Sequence, residues 1–230
     1  MKLHRFIGTF LRKDKTIFIT DPFVVHQMTH VLHLKPGEQV GLCDGKGGEV
    51  VASFVGVEKQ GVKCEVIEER APLPAFPIVT LCCAVLKREN FEWVVQKATE
   101  VGVSKIIPII TARTVKQSLR LDRLQKIALE ASEQCGRRSV PVIESPQLFK
   151  QAMVIEKGEV GYFFDKDGEL FLTISTGAHA PSRLFIGPEG GWDETEVKLA
   201  REVNCSLVSL GPLTLRGETA AVVASYLATR

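Results

Sequence analysis

Three prolines within six residues, Pro72, Pro74 and Pro77, interrupt this 230-residue chain about a third of the way along. Proline fixes its own φ and lacks an amide donor, so this stretch cannot lie inside a regular helix or strand. The residue patterns on its two sides also differ. The sequence therefore predicts two domains, residues 1–73 and 74–230, joined by an extended linker.

Before the linker, the chain has the pattern of a small β-rich domain. Short apolar, β-branched runs are separated by turn residues, which is typical of strands joined by tight turns. One helix is predicted over residues 22–34, where Lys35-Pro36-Gly37 ends it. The strands are predicted at residues 16–19, 39–43, 49–57 and 61–68, and together they indicate a β-barrel or a sandwich.

After the linker, strands and helices alternate, which indicates an α/β domain with a largely parallel sheet. Asp193 and Glu196 have the spacing of a capping box and predict the start of a helix. The predicted strands are residues 78–86, 105–110, 160–164, 183–186 and 206–210, and the predicted helices are 90–101, 119–135, 193–203 and 218–229.

Composition excludes several classes of protein. The net charge is only +2, so any positive charge that serves RNA must be local. The most apolar long stretch, residues 219–229, is too short for a membrane-spanning helix, which needs about 20 residues. The six cysteines form no Cys-x-x-Cys pair, and no signal-peptide pattern is present. We therefore expect reduced core thiols in a soluble, cytoplasmic protein without membrane contact.

Two glycine-rich segments, residues 186–191 and 210–220, begin where predicted strands end. Ligands of open α/β sheets bind beyond the carboxyl ends of the strands, and glycine lets the backbone approach a ligand closely. Two such loops are able to hold a flat, polar ligand between them, although each alone also fits an ordinary strand-to-helix connection. No Gly-x-Gly-x-x-Gly or Walker A pattern is present, which disfavours dinucleotide and P-loop sites.

Nucleophilic and metal chemistry have little support in the sequence. No Gly-x-Ser-x-Gly pattern is present, and no cysteine has a histidine close to it along the chain. His26 and His30 have the i, i+4 spacing of a zinc pair, but no acidic third ligand accompanies them. We therefore expect no metal site at these histidines. We expect the helix face that carries them to be turned to solvent or to RNA.

Several motifs, in this order and at this spacing, resemble the SPOUT-class RNA methyltransferases and, among them, the ribosomal RNA small subunit methyltransferase E family. The resemblance covers nearly the whole chain. The earlier motifs lie at residues 4–6, 30–37, 44–45, 96–103 and 130–137. The last ones are Gly187-Pro188-Glu189-Gly190-Gly191 and Leu210-Gly211-Pro212 with Leu215-Arg216 and Glu218-Thr219-Ala220.

The chain departs from the family pattern at four positions. Leu213, Thr214 and Gly217 stand where Arg, Ile and Thr are usual, and His33 replaces a common Arg. The Leu-Arg-x-Glu-Thr-Ala core of the last motif is intact.

The resemblance implies a PUA-like barrel at the N-terminus and a C-terminal α/β domain tied in a trefoil knot. It also implies a homodimer, S-adenosylmethionine (SAM) as the methyl donor, and methylation of uridine N3 in the 16S rRNA of the small ribosomal subunit. The residues that it implies for SAM binding are Ile186, Gly187, Pro188, Glu189, Gly190, Gly191, Leu210, Gly211, Pro212, Leu215, Arg216, Glu218, Thr219 and Ala220. Among these, Ile186, Leu210 and Leu215 are expected to flank the adenine.

Two residues are candidates for catalysis. Uridine N3 becomes nucleophilic when its proton leaves, so a guanidinium that stabilises the resulting charge on O2 and O4 favours the reaction. Arg216 directly follows the cofactor loop and is our candidate for this role, with a phosphate contact or a salt bridge with Glu218 or Glu133 as the alternative. Glu133 is a candidate proton acceptor, although a solvated helix face fits it equally.

RNA contacts are expected chiefly from the N-terminal domain, because basic residues cluster near its start. The residues expected to bind RNA are Arg5, Arg12, Lys13 and Arg137. The rings of Phe6, Phe10 and Phe23 are candidates for stacking on bases, with packing in the core as the favoured alternative.

Two further functions stay open. The chain fits a non-catalytic RNA-binding or ribosome-assembly protein, which the pair of glycine loops disfavours because RNA binding alone does not need them. It also fits a nucleotide-binding α/β enzyme, which SAM binding without competition from ATP or NAD would exclude.

Overall fold

The structure, a computed structural model, describes residues 3–71, 73, 77–115, 118–173 and 180–230. These residues form two compact units. The first unit takes its residues from 1–74 and from 132–140, and the second takes them from 75–131 and 141–230. The predicted proline-rich linker lies partly outside the described residues, and the strand before it extends to Arg70 rather than ending at residue 68. The sequence did not place residues 132–140 with the first unit.

The first unit is built on a six-stranded mixed sheet. Its strands are β1 (His4–Ile7), β2 (Leu11–Lys13), β3 (Thr16–Ile19), β4 (Gln39–Cys43), β5 (Glu49–Glu58) and β6 (Gly61–Arg70). They are ordered β1-β4-β5-β6-β3-β2, with β1 parallel to β4 and all other neighbours antiparallel. The sequence predicted β3 to β6 and missed the short β1 and β2.

One helical segment packs on this sheet. Helix α1 (Pro22–His26) begins at Asp21, whose Oδ1 accepts the Phe23 amide at 2.8 Å, and it continues as a π-helical turn over Gln27–Val31. The sequence predicted a helix as far as residue 34. The helix ends earlier because His33 has a φ of 51°, in the left-handed region that a right-handed helix cannot contain.

The second unit contains a parallel sheet, which confirms the predicted α/β class. Its strands are β7 (Val79–Ala84), β8 (Lys105–Ile110), β9 (Val142–Ile143), β10 (Gln147–Leu148), β11 (Val160–Leu170), β12 (Ser182–Ile186) and β13 (Ser206–Ser209). The order is β10-β8-β7-β12-β11-β13, and β9 also pairs with β8. Every pairing in this sheet is parallel.

Among the described residues, a short 3-10 helix covers Phe171–Thr173, and five α-helices follow α1. They are α2 (Arg88–Val101), α3 (Leu121–Cys135), α4 (Phe149–Ala152), α5 (Glu194–Glu202) and α6 (Gly217–Ala228). The predicted capping box at α5 is present: Asp193 Oδ1 accepts the Thr195 amide at 3.1 Å, and Glu196 Oε2 accepts the Asp193 amide at 2.9 Å. Within the described parts of the chain, no helix combines the length and the apolarity that crossing a bilayer requires.

Cysteines are part of both cores. Five of the six are buried and Cys135 is exposed, and all are free thiols. Every residue of β7 is buried, including Cys82 and Cys83. Burial raises the pKa of Cys82 to about 12 and raises that of Cys83 as well. These thiols act as small apolar side chains, as the sequence predicted.

Residues 132–140 join the first unit through a buried ion cluster. The Glu49 side chain is fully buried, and its Oε2 lies 2.9 Å from Arg138 Nε. The carbonyl oxygen of Arg138 also accepts the Gly47 amide at 3.3 Å. The Ile7 amide donates to Glu133 Oε1 at 2.9 Å. Because a buried carboxylate needs a partner, Glu49 fixes this segment to the first sheet.

Candidate functional site

The two glycine-rich segments lie at one edge of the second unit's sheet. β12 ends at Ile186 and β13 ends at Ser209, and both pair in parallel with β11, which lies between them. Because these strands point the same way, the segments that follow them leave the sheet at the same edge. β7, the other neighbour of β12, also runs parallel and ends there.

The first loop, residues 187–191, is braced by an aromatic ring and an arginine. A Cβ at Gly187 would lie 2.9 Å from Cε2 of Trp192, so only glycine allows this packing. The Trp192 indole N–H donates to the Phe164 carbonyl at 2.9 Å, and Arg113 Nη1 donates to the Gly190 carbonyl at 3.0 Å. Sequence analysis missed Trp192 and Arg113 because these contacts join residues 28 and 77 positions apart.

The second loop, residues 210–216, leads directly into α6. Gly211 has a φ of +119°, a backbone conformation that favours glycine. Leu213 is 77% exposed. Arg216 is also exposed, and its carbonyl oxygen accepts the Ala220 amide at 2.8 Å. Since the Arg216 side chain makes no capping bond to α6, its guanidinium is not committed to holding the helix end.

The two loops meet at Gly217, the first residue of α6. A Cβ at this position would lie 2.9 Å from Cδ2 of Leu86 and 3.5 Å from the carbonyl oxygen of Gly187. Leu86 is 1% exposed and follows β7. Threonine is usual at this position in the family pattern, and its Cβ would require Leu86 to move. Glycine at position 217 therefore allows α6 to pack closely against the end of β7.

The residues expected to flank the adenine differ in exposure. The Ile186 side chain is 1% exposed and belongs to the core, so it presents no free apolar face. Leu210 and Leu215 are half-buried in the second loop.

Two carboxylates lie near the end of β7. Glu189 Oε1 accepts a long hydrogen bond from the Lys87 amide at 3.4 Å. Glu218 is the second residue of α6, and its Oε2 is buried with no hydrogen-bond donor among the described residues. Burial is the main cause of the raised pKa of Cys83, and the charges of Cys82, Glu189 and Glu218 raise it further. Both carboxylates are therefore close enough to β7 to act on it electrostatically.

These residues fit SAM. Backbone groups of two loops converge at one edge, where they are able to hold the adenosyl part. The buried Glu218 oxygen has no donor among the described residues, and SAM brings positive charge on its sulfur and on its α-ammonium group. Glu218, Thr219 and Ala220 lie together in the first turn of α6.

Glu133 and Arg137 belong to the first unit rather than to this sheet edge. Glu133 is half-buried, and its Oε1 is engaged by the Ile7 amide. Arg137 is also half-buried, and burial lowers the pKa of its guanidinium. The structure thus gives Glu133 an internal contact, and its role as a proton acceptor stays a prediction.

The basic residues near the start of the chain fall into two groups. Arg5 Nε donates to the buried Glu49 at 2.9 Å, so Arg5 takes part in the ion cluster of the first unit. Arg12 and Lys13 are exposed, and Arg12 makes a surface ion pair with Glu69. Lys13 is therefore open to solvent, Arg12 is exposed but paired with Glu69, and Arg5 is partly committed to the fold.

The aromatic candidates also separate by exposure. Phe6 is 1% exposed, Phe10 packs against the core of the first unit, and Phe23 is 42% exposed. The rings of His26 and His30 stack with centroids 4.9 Å apart and are exposed. In the part of the chain that the structure describes, no group of three or more His, Cys, Asp or Glu residues is arranged to hold a metal ion.

Comparison with known proteins identifies relatives of both units. A family model described as the RNA methyltransferase domain matches residues 74–229, and one described as the RNA methyltransferase PUA domain matches residues 25–67. The chain is 30% identical to the ribosomal RNA small subunit methyltransferase E of Rickettsia conorii over 97% of this chain and 94% of that protein. It is 34% identical to the Bacillus subtilis protein of the same name over 87% of this chain and 84% of that protein.

Solved structures share the same fold. The ribosomal RNA small subunit methyltransferase E of Neisseria gonorrhoeae, solved with bound SAM, matches with a TM-score of 0.90 and 28% identity, covering 98% of this chain and 96% of that one. A Legionella pneumophila protein, also solved with SAM, matches with a TM-score of 0.85 and 27% identity, covering 99% and 97%.

Proposed function

The chain belongs to the ribosomal RNA small subunit methyltransferase E family, and on this premise we propose that it transfers the methyl group of SAM to N3 of a uridine in 16S rRNA. The observation that carries the proposal is the convergence of residues 187–191 and 210–217 at one sheet edge, in a fold whose relative was solved with SAM. This observation favours an enzyme over a non-catalytic RNA-binding or ribosome-assembly protein.

The residues of the loops have separate tasks in this proposal. Bound SAM supplies a methyl group on a positively charged sulfur. Backbone groups of both loops orient the adenosyl part, and the Trp192 ring and Arg113 keep the first loop in place. Fixing the donor in this way lowers the entropic cost of bringing the methyl carbon and N3 into line.

Arg216 acts on the uridine. N3 gives its proton to solvent water and forms a bond to the methyl carbon, while the bond from that carbon to sulfur breaks and its electron pair stays on the sulfur. The guanidinium of Arg216 stabilises the negative charge that spreads over O2 and O4 as the proton leaves. Its exposure and its freedom from helix capping leave it available for this contact.

The finer features of the fold and assembly are part of the same proposal. The first unit closes as a PUA-like barrel that holds RNA through Arg12, Lys13 and Phe23, with Arg5 and Arg137 in support, and the second contains a trefoil knot. The protein acts in the cytoplasm as a homodimer. Its apolar α6, with half-buried Val222, Val223 and Leu227, supports a buried dimer surface, which analytical ultracentrifugation tests.

The decisive experiment supplies purified protein with SAM and unmodified small ribosomal subunits, and then searches the digested rRNA for 3-methyluridine by mass spectrometry. We expect 3-methyluridine to form and to depend on SAM. Another methylated nucleoside would overturn the acceptor atom, and absence of both methylation and SAM binding would favour the RNA-binding-only alternative.

A further inference from the structure

Glu218 lies where three segments of the chain converge. It follows Gly217, which packs on Leu86 after β7 and lies against the carbonyl of Gly187 in the first loop. It also follows Arg216, the last residue of the second loop. A carboxylate at this position is therefore adjacent to both loops that hold the donor.

Glu218 is half-buried, and its buried Oε2 differs in its contacts from the other buried carboxylate oxygens. Glu196 uses both oxygens, which accept the Ala112 and Asp193 amides at 2.9 Å each. Glu49 is paired with arginines, and Glu159 Oε2 lies 3.0 Å from Arg183 Nε. By contrast, the buried Oε2 of Glu218 has no donor among the described residues. Leaving a buried charged oxygen unpaired is costly, so such an atom points to a missing partner.

The missing partner should carry positive charge. Glu189 Oε1 accepts the Lys87 amide, and Glu218 follows Gly217, which packs on Leu86, so both carboxylates belong to segments that contact the end of β7. Neither of them forms an ion pair among the described residues, and the hydrogen bond that Glu189 accepts is the long one from the Lys87 amide. Two unpaired carboxylates beside a ligand site favour a cation over a neutral ligand.

We infer that Glu218 is the countercharge for the methyl donor and gives the site its preference for a positively charged nucleoside ligand. This inference rests on the proposed function. SAM brings two positive groups, the sulfonium and the α-ammonium, and S-adenosylhomocysteine, the product, keeps only the second. If the sulfonium is the partner, Glu218 also helps release the product, because transfer of the methyl group removes the charge that Glu218 holds.

Three probes test this inference in calorimetry. SAM carries both positive groups, S-adenosylhomocysteine carries only the ammonium, and 5′-methylthioadenosine carries neither. In the Glu218→Gln variant we expect SAM affinity to fall about tenfold or more, while 5′-methylthioadenosine affinity stays the same. Unchanged S-adenosylhomocysteine affinity then assigns the sulfonium, and an equal loss for S-adenosylhomocysteine assigns the ammonium.

Two results would overturn the inference. One is an equal loss for all three probes, which makes Glu218 a contact of the adenosyl part. The other is no loss for any probe. If the wild-type protein binds no SAM, the proposed function fails instead. Glu194→Gln, which changes an exposed glutamate in the first turn of α5, is the matched control and should alter no affinity.

A stability measurement separates this role from a structural one. Because the buried oxygen has no partner among the described residues, Glu218→Gln should leave the melting temperature of the ligand-free protein unchanged or higher. A clear decrease would show that Glu218 holds the fold. Glu218→Asp, which keeps the charge, should retain part of the preference for SAM over 5′-methylthioadenosine.

Discussion

Gly187 lies directly against the indole of Trp192, so closely that a Cβ on Gly187 would be 2.9 Å from the ring. The ring cannot retreat easily, because it is buried and its N–H donates to the Phe164 carbonyl at 2.9 Å. The first loop is therefore built onto the core, and its shape depends on a side chain just outside the loop.

Gly187→Ala should destabilise the protein and weaken SAM binding together. Forcing a methyl group into a packed site typically costs about 1–3 kcal/mol. The measurement is urea unfolding of the ligand-free protein, followed by calorimetry with SAM. Gly190→Ala is the control, since a Cβ there would lie 3.4 Å from the Arg113 side chain, and its stability should change little. Equal losses of stability in the two variants would contradict the prediction.

Glu49→Gln should destabilise the protein strongly. The carboxylate is fully buried and pairs with Arg5, Arg70 and Arg138, and Arg138 is itself only 10% exposed. Removing the charge leaves the largely buried guanidinium of Arg138 without its counter-charge, and breaking a buried pair in this way costs about 3–5 kcal/mol in comparable cases. Denaturant unfolding measures the loss.

The control for this prediction is Glu69→Gln. Glu69 makes an ion pair with Arg12 on the surface, with both side chains well exposed. Exposed pairs contribute about 0–1 kcal/mol, so this variant should unfold almost like the wild type. A small effect of Glu49→Gln would mean that residues 132–140 do not depend on the ion cluster.

Local patterns predicted most of the second unit. The apolar periodicity placed α2, α3, α5 and α6, and the Asp193 and Glu196 spacing marked the start of α5. The two glycine loops were also recognisable, because glycine and proline after an apolar run signal a turn at the end of a strand. Such features depend on neighbours along the chain, which is the information that a single sequence contains.

The features that sequence analysis missed depend on distant residues. Residues 132–140 belong to the first unit, where Glu49 pairs with Arg138. No local sequence pattern near either residue indicates this pairing. The contact of Arg113 with the Gly190 carbonyl is similar. The unpaired oxygen of Glu218 became visible only once its surroundings were known.

The buried thiols should make stability depend on alkaline pH. Burial raises the pKa of Cys64 from 9.0 to about 12. Between these values the thiol ionises in the unfolded chain but not in the folded one, so stability is full below about pH 9 and falls as the pH rises toward 12. Cys64→Ala should flatten this pH dependence, and the exposed Cys135→Ala should not. Unfolding curves from pH 8 upward measure it, and identical slopes in the two variants would contradict the assignment.

Arg216→Ala should slow methylation without disturbing the fold. Arg216 is exposed and does not cap α6, so its loss should leave the melting temperature unchanged. Removal of one group that stabilises a developing negative charge commonly reduces kcat about 100-fold or more. The measurement is single-turnover formation of 3-methyluridine at saturating RNA and SAM, with Arg230→Ala, beyond the other end of α6, as the control. If Arg216 contacts only a phosphate, KM for RNA rises while kcat is retained. If Arg216 stabilises the ionised uridine, kcat falls in the variant. Raising the pH should then increase kcat of the variant more than kcat of the wild type, because hydroxide removes the N3 proton whose loss the guanidinium had favoured.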